Sequence, residues 1–117
     1  MPLYLTGNTL TIEDVVAVAR QNKDVALSDQ ARKSMLKSYT WVREASLGDR
    51  AIYGVNTGFG SLARLRIPPE QSSQLSRNLI RSHAAGVGPI APPDVTRAMM
   101  LLRANALSKG VSGCRPL

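Results

Sequence analysis

The chain is poor in the residues that carry most small-site chemistry: its 117 residues include one cysteine, one histidine, one tryptophan and one phenylalanine, and only eight acidic side chains against fifteen basic ones. A lone Cys114 excludes an internal disulfide, and Cys114 with His83 is too small a donor set for a chain-internal zinc site. As a nucleophile and base, the same two residues lack a third group to orient them. No apolar run approaches the roughly 20 residues of a membrane-spanning helix, and no basic-apolar leader is recognisable, so a reduced, cytoplasmic setting without membrane contact is expected. Aromatic residues make up 4% of the chain but hydrophobic residues 44%, so aliphatic, alanine and methionine side chains must fill the core. That composition favours helices packed on helices, in a chain long enough for one small domain.

Charge is unevenly spread. Residues 1–60 carry seven Lys/Arg against six Asp/Glu, and residues 61–117 carry eight against two, which places +6 of the net +7 in the second half. Clustered cations are one signature of a nucleic-acid-binding domain. Here Arg64, Arg66, Arg77, Arg81, Arg97, Arg103, Lys109 and Arg115 are single and dispersed, without a zinc-finger or aromatic RNA-binding motif. They point instead to acidic surfaces on further chain or on sister subunits, and no nucleic-acid partner is expected.

Local signals divide the chain into short elements. Leu3 to Leu10 reads as a short extended pair about Gly7-Asn8. Thr11-Ile12-Glu13-Asp14 resembles a capped helix start, with Ile12, Val15, Val16 and Ala19 at helical spacing up to about Asn22. Ser28 caps a second helix whose stripe is Ala31, Met35, Tyr39 and Val42, with Gly48 beyond its end and Trp41 expected in the core. Pro68-Pro69-Glu70 opens a third helix, expected to run to about Ala85. On it Leu75, Leu79 and His83, four residues apart, share an apolar side. Asp94 opens a fourth helix with Val95, Ala98, Met99, Leu102 and Ala106 inward and Gly110 as its left-handed stop. Short connections predict one compact unit.

The most informative segment is Tyr53-Gly54-Val55-Asn56-Thr57-Gly58-Phe59-Gly60. Three glycines in eight positions exclude a helix and supply special backbone or close approach. The order Gly-x-x-x-Gly-x-Gly is neither a dinucleotide loop nor a phosphate loop. Two further blocks follow, Asn78-Leu79-Ile80-Arg81-Ser82-His83-Ala84-Ala85-Gly86-Val87-Gly88 and Leu102-Arg103-Ala104-Asn105-Ala106-Leu107-Ser108-Lys109-Gly110-Val111-Ser112-Gly113. Together the three blocks resemble the N-terminal part of the histidine and aromatic amino acid ammonia-lyases and their aminomutase relatives, over residues from about Leu10 to Arg115.

That resemblance implies a mainly α-helical N-terminal portion of an ammonia-lyase-like fold, with a short extended start and the Gly-rich loop. It implies Tyr53 as the catalytic base, acting on a weakly acidic β-proton while ammonia leaves the α-carbon of an aromatic amino acid. Because a free phenol is protonated at neutral pH, positive charge or the electrophile must stand nearby. Gly54, Gly58, Phe59 and Gly60 are implied as a gate over the substrate. Ser82 and His83 are implied to border the substrate ring, and this pair resembles that of members accepting histidine or tyrosine more than the Phe-Leu pair of phenylalanine-specific members. By spacing alone, His83 reads as a hydrogen-bonded core residue. Asn78, Arg103 and Asn105 are implied as scaffold hydrogen-bonders near the pocket.

The family's electrophile is a methylidene-imidazolone formed from an internal Ala-Ser-Gly, and no Ala-Ser-Gly occurs among these residues. Val111-Ser112-Gly113 begins with valine and falls in the Gly-x-Ser-Gly-x-Arg segment, so it is not the precursor. The resemblance thus implies that residues 1–117 are an incomplete N-terminal segment of a domain that is a homotetramer at full length. By themselves they are expected to be inactive. An aminomutase, a non-catalytic helical interaction module and a basic nucleic-acid-binding domain are the alternatives.

Overall fold

The computed structural model describes residues Met1–Leu117. In chain order the elements are β1 (Leu3–Leu5), α1 (Ile12–Gln21), β2 (Val25–Leu27), α2 (Asp29–Leu47), a short 3-10 turn (Gly60–Leu62), α3 (Pro69–His83) and α4 (Pro93–Ser108). The mainly helical class is as expected; the single compact unit is not. Met1–Trp41 with Ile90–Leu117 forms one compact unit and Val42–Pro89 another. The reason lies in residues 48–68, a long connection between α2 and α3 that closes hydrogen bonds on itself.

The helix boundaries follow local chemistry. The Thr11 hydroxyl accepts the Asp14 N–H at 3.2 Å and the Asp14 carboxylate accepts the Thr11 N–H at 3.2 Å, a reciprocal cap for α1. Asn22 then turns left-handed, at φ 55°, and ends the helix. The Ser28 hydroxyl accepts the Ala31 N–H at 3.2 Å and starts α2. Helices α3 and α4 each begin on a proline, where the missing N–H costs nothing.

Three expectations need correction. Residues Leu3 to Leu10 do not form an extended pair with each other: Leu3–Leu5 pairs in parallel with Val25–Leu27, with α1 as the crossover. The Gly7 N–H is held by Asn105 Oδ1 at 3.1 Å, which directs the chain after β1 toward α1 and not back along the strand. On α4 the buried residues are Leu101 and Ser108, whereas Met99 and Leu102, expected inward, are 64% and 53% exposed. That helix is apolar on most of its surface, and the polar Asn105, bonded to Gly7, decides which side faces β1. Trp41 is not a core residue but 59% exposed. The inward side of α2 consists of Ala31 and Met35, leaving Trp41 on another side.

The core of the first unit draws on four elements: Leu5 from β1, Ala19 from α1, Ala31 and Met35 from α2, and Leu101 from α4. Small side chains let backbones approach. At Gly110, where φ is +73°, an added β-carbon would lie 2.5 Å from the Ser34 carbonyl carbon and 2.8 Å from the Met35 nitrogen. The Arg20–Asp94 ion pair, 3.3 Å long, joins α1 to α4 but both side chains are well exposed, so it contributes little.

Gly110→Ala should therefore cost about 2–4 kcal/mol, since strain at positive φ adds to a collision with backbone. Gly60→Ala shares the positive φ, +58°, but meets nothing within 4 Å. Its cost should be only about 1 kcal/mol. Urea midpoints of the two variants check the difference.

Candidate functional site

Tyr53 occupies the corner of a tight turn. The Val55 N–H donates to the Ile52 carbonyl at 3.0 Å, and Gly54, the third residue of that turn, has φ +78°. Turns of this form demand positive φ there, which glycine adopts without strain. The turn is held from beneath by Asn56, whose Oδ1 accepts the Ile52 N–H at 2.8 Å and whose amide nitrogen donates to the Arg50 carbonyl at 3.0 Å. Asn56 and Thr57, 4% and 1% exposed, are buried in the loop, as is Gly58.

The loop base is closed by an antiparallel bridge between Thr57 and Arg66. The Gly58 N–H donates to the Leu65 carbonyl at 3.0 Å and the Ile67 N–H to the Asn56 carbonyl at 2.7 Å. Arg66 extends the closure, donating from Nε and Nη2 to the Gly48 carbonyl at 3.2 and 2.9 Å. At Gly58 a β-carbon would lie 2.6 Å from the Leu62 β-carbon, so that glycine permits close approach. The Phe59 ring meets the Tyr53 ring edge to face with centroids 6.0 Å apart. Tyr53 itself is 65% exposed, so its ring is braced on one side and open elsewhere.

The second group of predicted residues lies on α3. The Ser82 hydroxyl donates to the Leu79 carbonyl at 2.9 Å, and His83 Nδ1 stands 3.0 Å from the same carbonyl and 2.9 Å from Ser82 Oγ. A carbonyl only accepts, so a tautomer with the N–H on Nδ1 satisfies this contact and leaves Nε2 free to accept. Against the expectation of an inward side, His83 is exposed, while Leu75 and Leu79 are half-buried. No residue of α3 is buried, so nothing covers the end of the helix on which His83 sits. Asn78 Oδ1 accepts the Gln74 amide N–H at 2.8 Å and borders a shallow cleft with Ile67, Gln71, Gln74 and Leu75.

The fold joins Tyr53 to Phe59 and Ser82 to His83; no hydrogen bond links the one pair to the other. Arg103 and Asn105 belong to the other unit, where Arg103 is exposed and Asn105 is half-buried against Gly7. Asn56, Thr57 and Arg66 are the positions that sequence reasoning passed over. An asparagine and a threonine inside a Gly-rich turn were the signal for the first two, because such side chains bond nearby backbone.

Comparison with known proteins identifies relatives of the chain. The sequence pattern of the family described as aromatic amino acid lyase matches residues 10–117. The histidine ammonia-lyase of Clostridium tetani (strain Massachusetts / E88) is 50% identical over 113 residues, covering 97% of this chain and 22% of that protein. Among solved structures, the ergothioneine-degrading ergothionase of Treponema denticola superposes with a TM-score of 0.93 at 33% identity, over 98% of this chain and 23% of its own. The tyrosine aminomutase of Streptomyces globisporus gives the same TM-score, 0.93, at 35% identity, over 99% of this chain and 22% of its own. The chain thus spans under a quarter of the length of these relatives.

Asn56→Ala should loosen the Tyr53 turn by removing both side-chain bonds to the backbone and leaving the Ile52 N–H without its partner. A loss of about 1–3 kcal/mol is expected. Amide hydrogen exchange should accelerate at Ile52 and Val55 while the α1 amides keep their protection.

Proposed function

The chain belongs to the aromatic amino acid lyase family, and from that membership we propose that it supplies the proton-abstracting group and part of the ring pocket of an aromatic amino acid ammonia-lyase. The observation that carries the proposal is Tyr53 at an open turn corner, braced by Phe59 and tied down through Asn56. In the elimination, the β-carbon's proton passes to the Tyr53 phenolate oxygen. The C–H electron pair becomes the new double bond, and the amino group departs from the α-carbon as ammonia, leaving an α,β-unsaturated acid.

The methylidene-imidazolone of the family would supply the electrophile that makes the amine a leaving group. No residue of this chain fits as its precursor. At Val111-Ser112-Gly113, the nearest candidate, Gly113 adopts φ +67° and donates its N–H to Ser38 Oγ at 2.9 Å, so the segment serves as a turn. The electrophile therefore comes from outside residues 1–117, and the segment alone is non-catalytic. A homotetramer at full length, working in the cytoplasm, belongs to the same reading.

The bridge at Thr57–Arg66 fixes the base of the loop and leaves the Tyr53-Gly54 corner as the part that closes over substrate. Phe59 and Gly60 move with it or brace it, while Gly58 stays against Leu62. Gating of this kind excludes water from the proton transfer. His83 Nε2, left as an acceptor, suits a substrate ring that offers an N–H or O–H, and Ser82 fixes the imidazole. Histidine is the first candidate, supported by the 50% identity to a histidine ammonia-lyase. Asn78, Arg103 and Asn105 act as scaffold. The tyrosine aminomutase, with a TM-score of 0.93, favours a second reading in which the same tyrosine takes the proton and the amine returns at the β-carbon.

In a full-length protein carrying this segment, Tyr53→Phe should lower turnover by at least about 10²-fold to 10⁴-fold, the range for loss of a general base, with folding preserved. Activity within a few-fold of the parent would make Tyr53 a structural residue.

Ser82→Phe combined with His83→Leu should shift the kcat/KM ratio toward phenylalanine relative to histidine and tyrosine. An unpaired polar ring group in the new pocket costs about 1–3 kcal/mol, or roughly 5-fold to 150-fold in selectivity. Unchanged ratios in a folded variant would remove His83 from the ring pocket.

A further inference from the structure

The unit formed by Met1–Trp41 and Ile90–Leu117 carries a cleft of about 420 Å³, lined by Ser34, Lys37, Ser38, Trp41, Lys109 and Gly110. Ser34, Lys37, Ser38 and Trp41 recur at the spacing of one helical face on α2, while Lys109 and Gly110 come from the end of α4. No carboxylate lines the cleft. Neither lysine is paired, since the chain's one salt bridge joins Arg20 to Asp94.

Other details favour a negative guest here. Ser38 Oγ accepts the Gly113 N–H at 2.9 Å, which leaves its own O–H to donate. Helix C-termini ordinarily repel anions. At the end of α4, however, the Ala106 and Leu107 carbonyls are already taken by the Lys109 and Gly110 N–H groups. The sole tryptophan of the chain stands at the cleft 59% exposed, a position that core packing does not explain.

We propose that this cleft binds a phosphate monoester carried on a flat apolar group: Lys37 and Lys109 neutralise the charge, Ser34 and Ser38 donate to its oxygens, and Trp41 stacks on the apolar part. A phosphate monoester carries close to two negative charges and three acceptor oxygens, which match two ammonium groups and two hydroxyls better than a carboxylate does. The indole face provides for the planar part of the guest. None of the lining residues belongs to the Tyr53 loop, and the proposal does not rest on the lyase reading.

The test uses the 117-residue chain with phenyl phosphate and inorganic phosphate as probes. Trp41 is the only indole, so its emission should change saturably with phenyl phosphate. Inorganic phosphate should bind at least about tenfold more weakly for want of the stacked ring. Lys37→Gln and Lys109→Gln should each weaken phenyl phosphate binding about tenfold, while Lys33→Gln leaves it unchanged. The chain has four lysines, which gives an independent readout. Phenyl phosphate should protect Lys37 and Lys109 from acylation and leave Lys23 and Lys33 reactive. Absence of a saturable emission change, uniform acylation of all four lysines in its presence, or an equal loss with Lys33→Gln would overturn the proposal.

Discussion

The end of α4 lies against the flank of α2 so closely that only hydrogen fits at Gly110, opposite the backbone of Ser34 and Met35. Much of the first unit follows from that approach. It brings Lys109 beside Gly7, where a β-carbon would lie 2.7 Å from the Lys109 side chain, and it allows Asn105 to bond the Gly7 backbone. With Gly7 held, β1 is set beside β2, and Leu5 meets the small core contributed by α1, α2 and α4. Few large side chains are buried, so shape is enforced by backbone proximity more than by the volume of the core.

The second unit is organised on a different basis. All five buried apolar residues belong to the first unit, whereas the buried residues of the second are Asn56, Thr57 and Gly58. The Tyr53 loop is therefore a hydrogen-bonded object in which the Tyr53, Leu62 and Leu65 side chains are more than half exposed and Phe59 and Val55 less so. Such surface ordinarily calls for a partner. A chain that spans 22% of a histidine ammonia-lyase carries only part of the surfaces such a protein packs together.

Sequence signals were most legible where local chemistry decides the outcome. Thr11 with Asp14, Asn22, Ser28, the paired prolines and Gly110 mark helix ends within a residue or two, because caps and left-handed stops depend on neighbours in the chain. Orientation was less legible. On α4 several sides are apolar, and the choice among them came from Asn105 reaching a residue 98 positions away. The strand partner of Leu3–Leu5 was hidden for a similar reason, since parallel pairing across a helix leaves no turn motif to read. In the loop, the three glycines and Tyr53 stood out. The polar side chains beneath them did not, because burial depends on where the returning Leu65 to Ile67 segment lies.

The first unit is discontinuous along the chain, and this has a consequence for the order of events during synthesis. Residues up to Trp41 leave the ribosome without α4, and the Gly7–Asn105 contact must wait until nearly the whole segment has emerged. Closing a loop of that length carries an entropic penalty that grows with the logarithm of its size, and it must be met before the contacts of α4 repay it. Until then α1 and the two strands lack the surface that buries Ala19 and Leu5. Until α4 has emerged, the nascent chain thus holds capped helices without this tertiary core, a stage at which exposed apolar segments are open to chaperones and proteases.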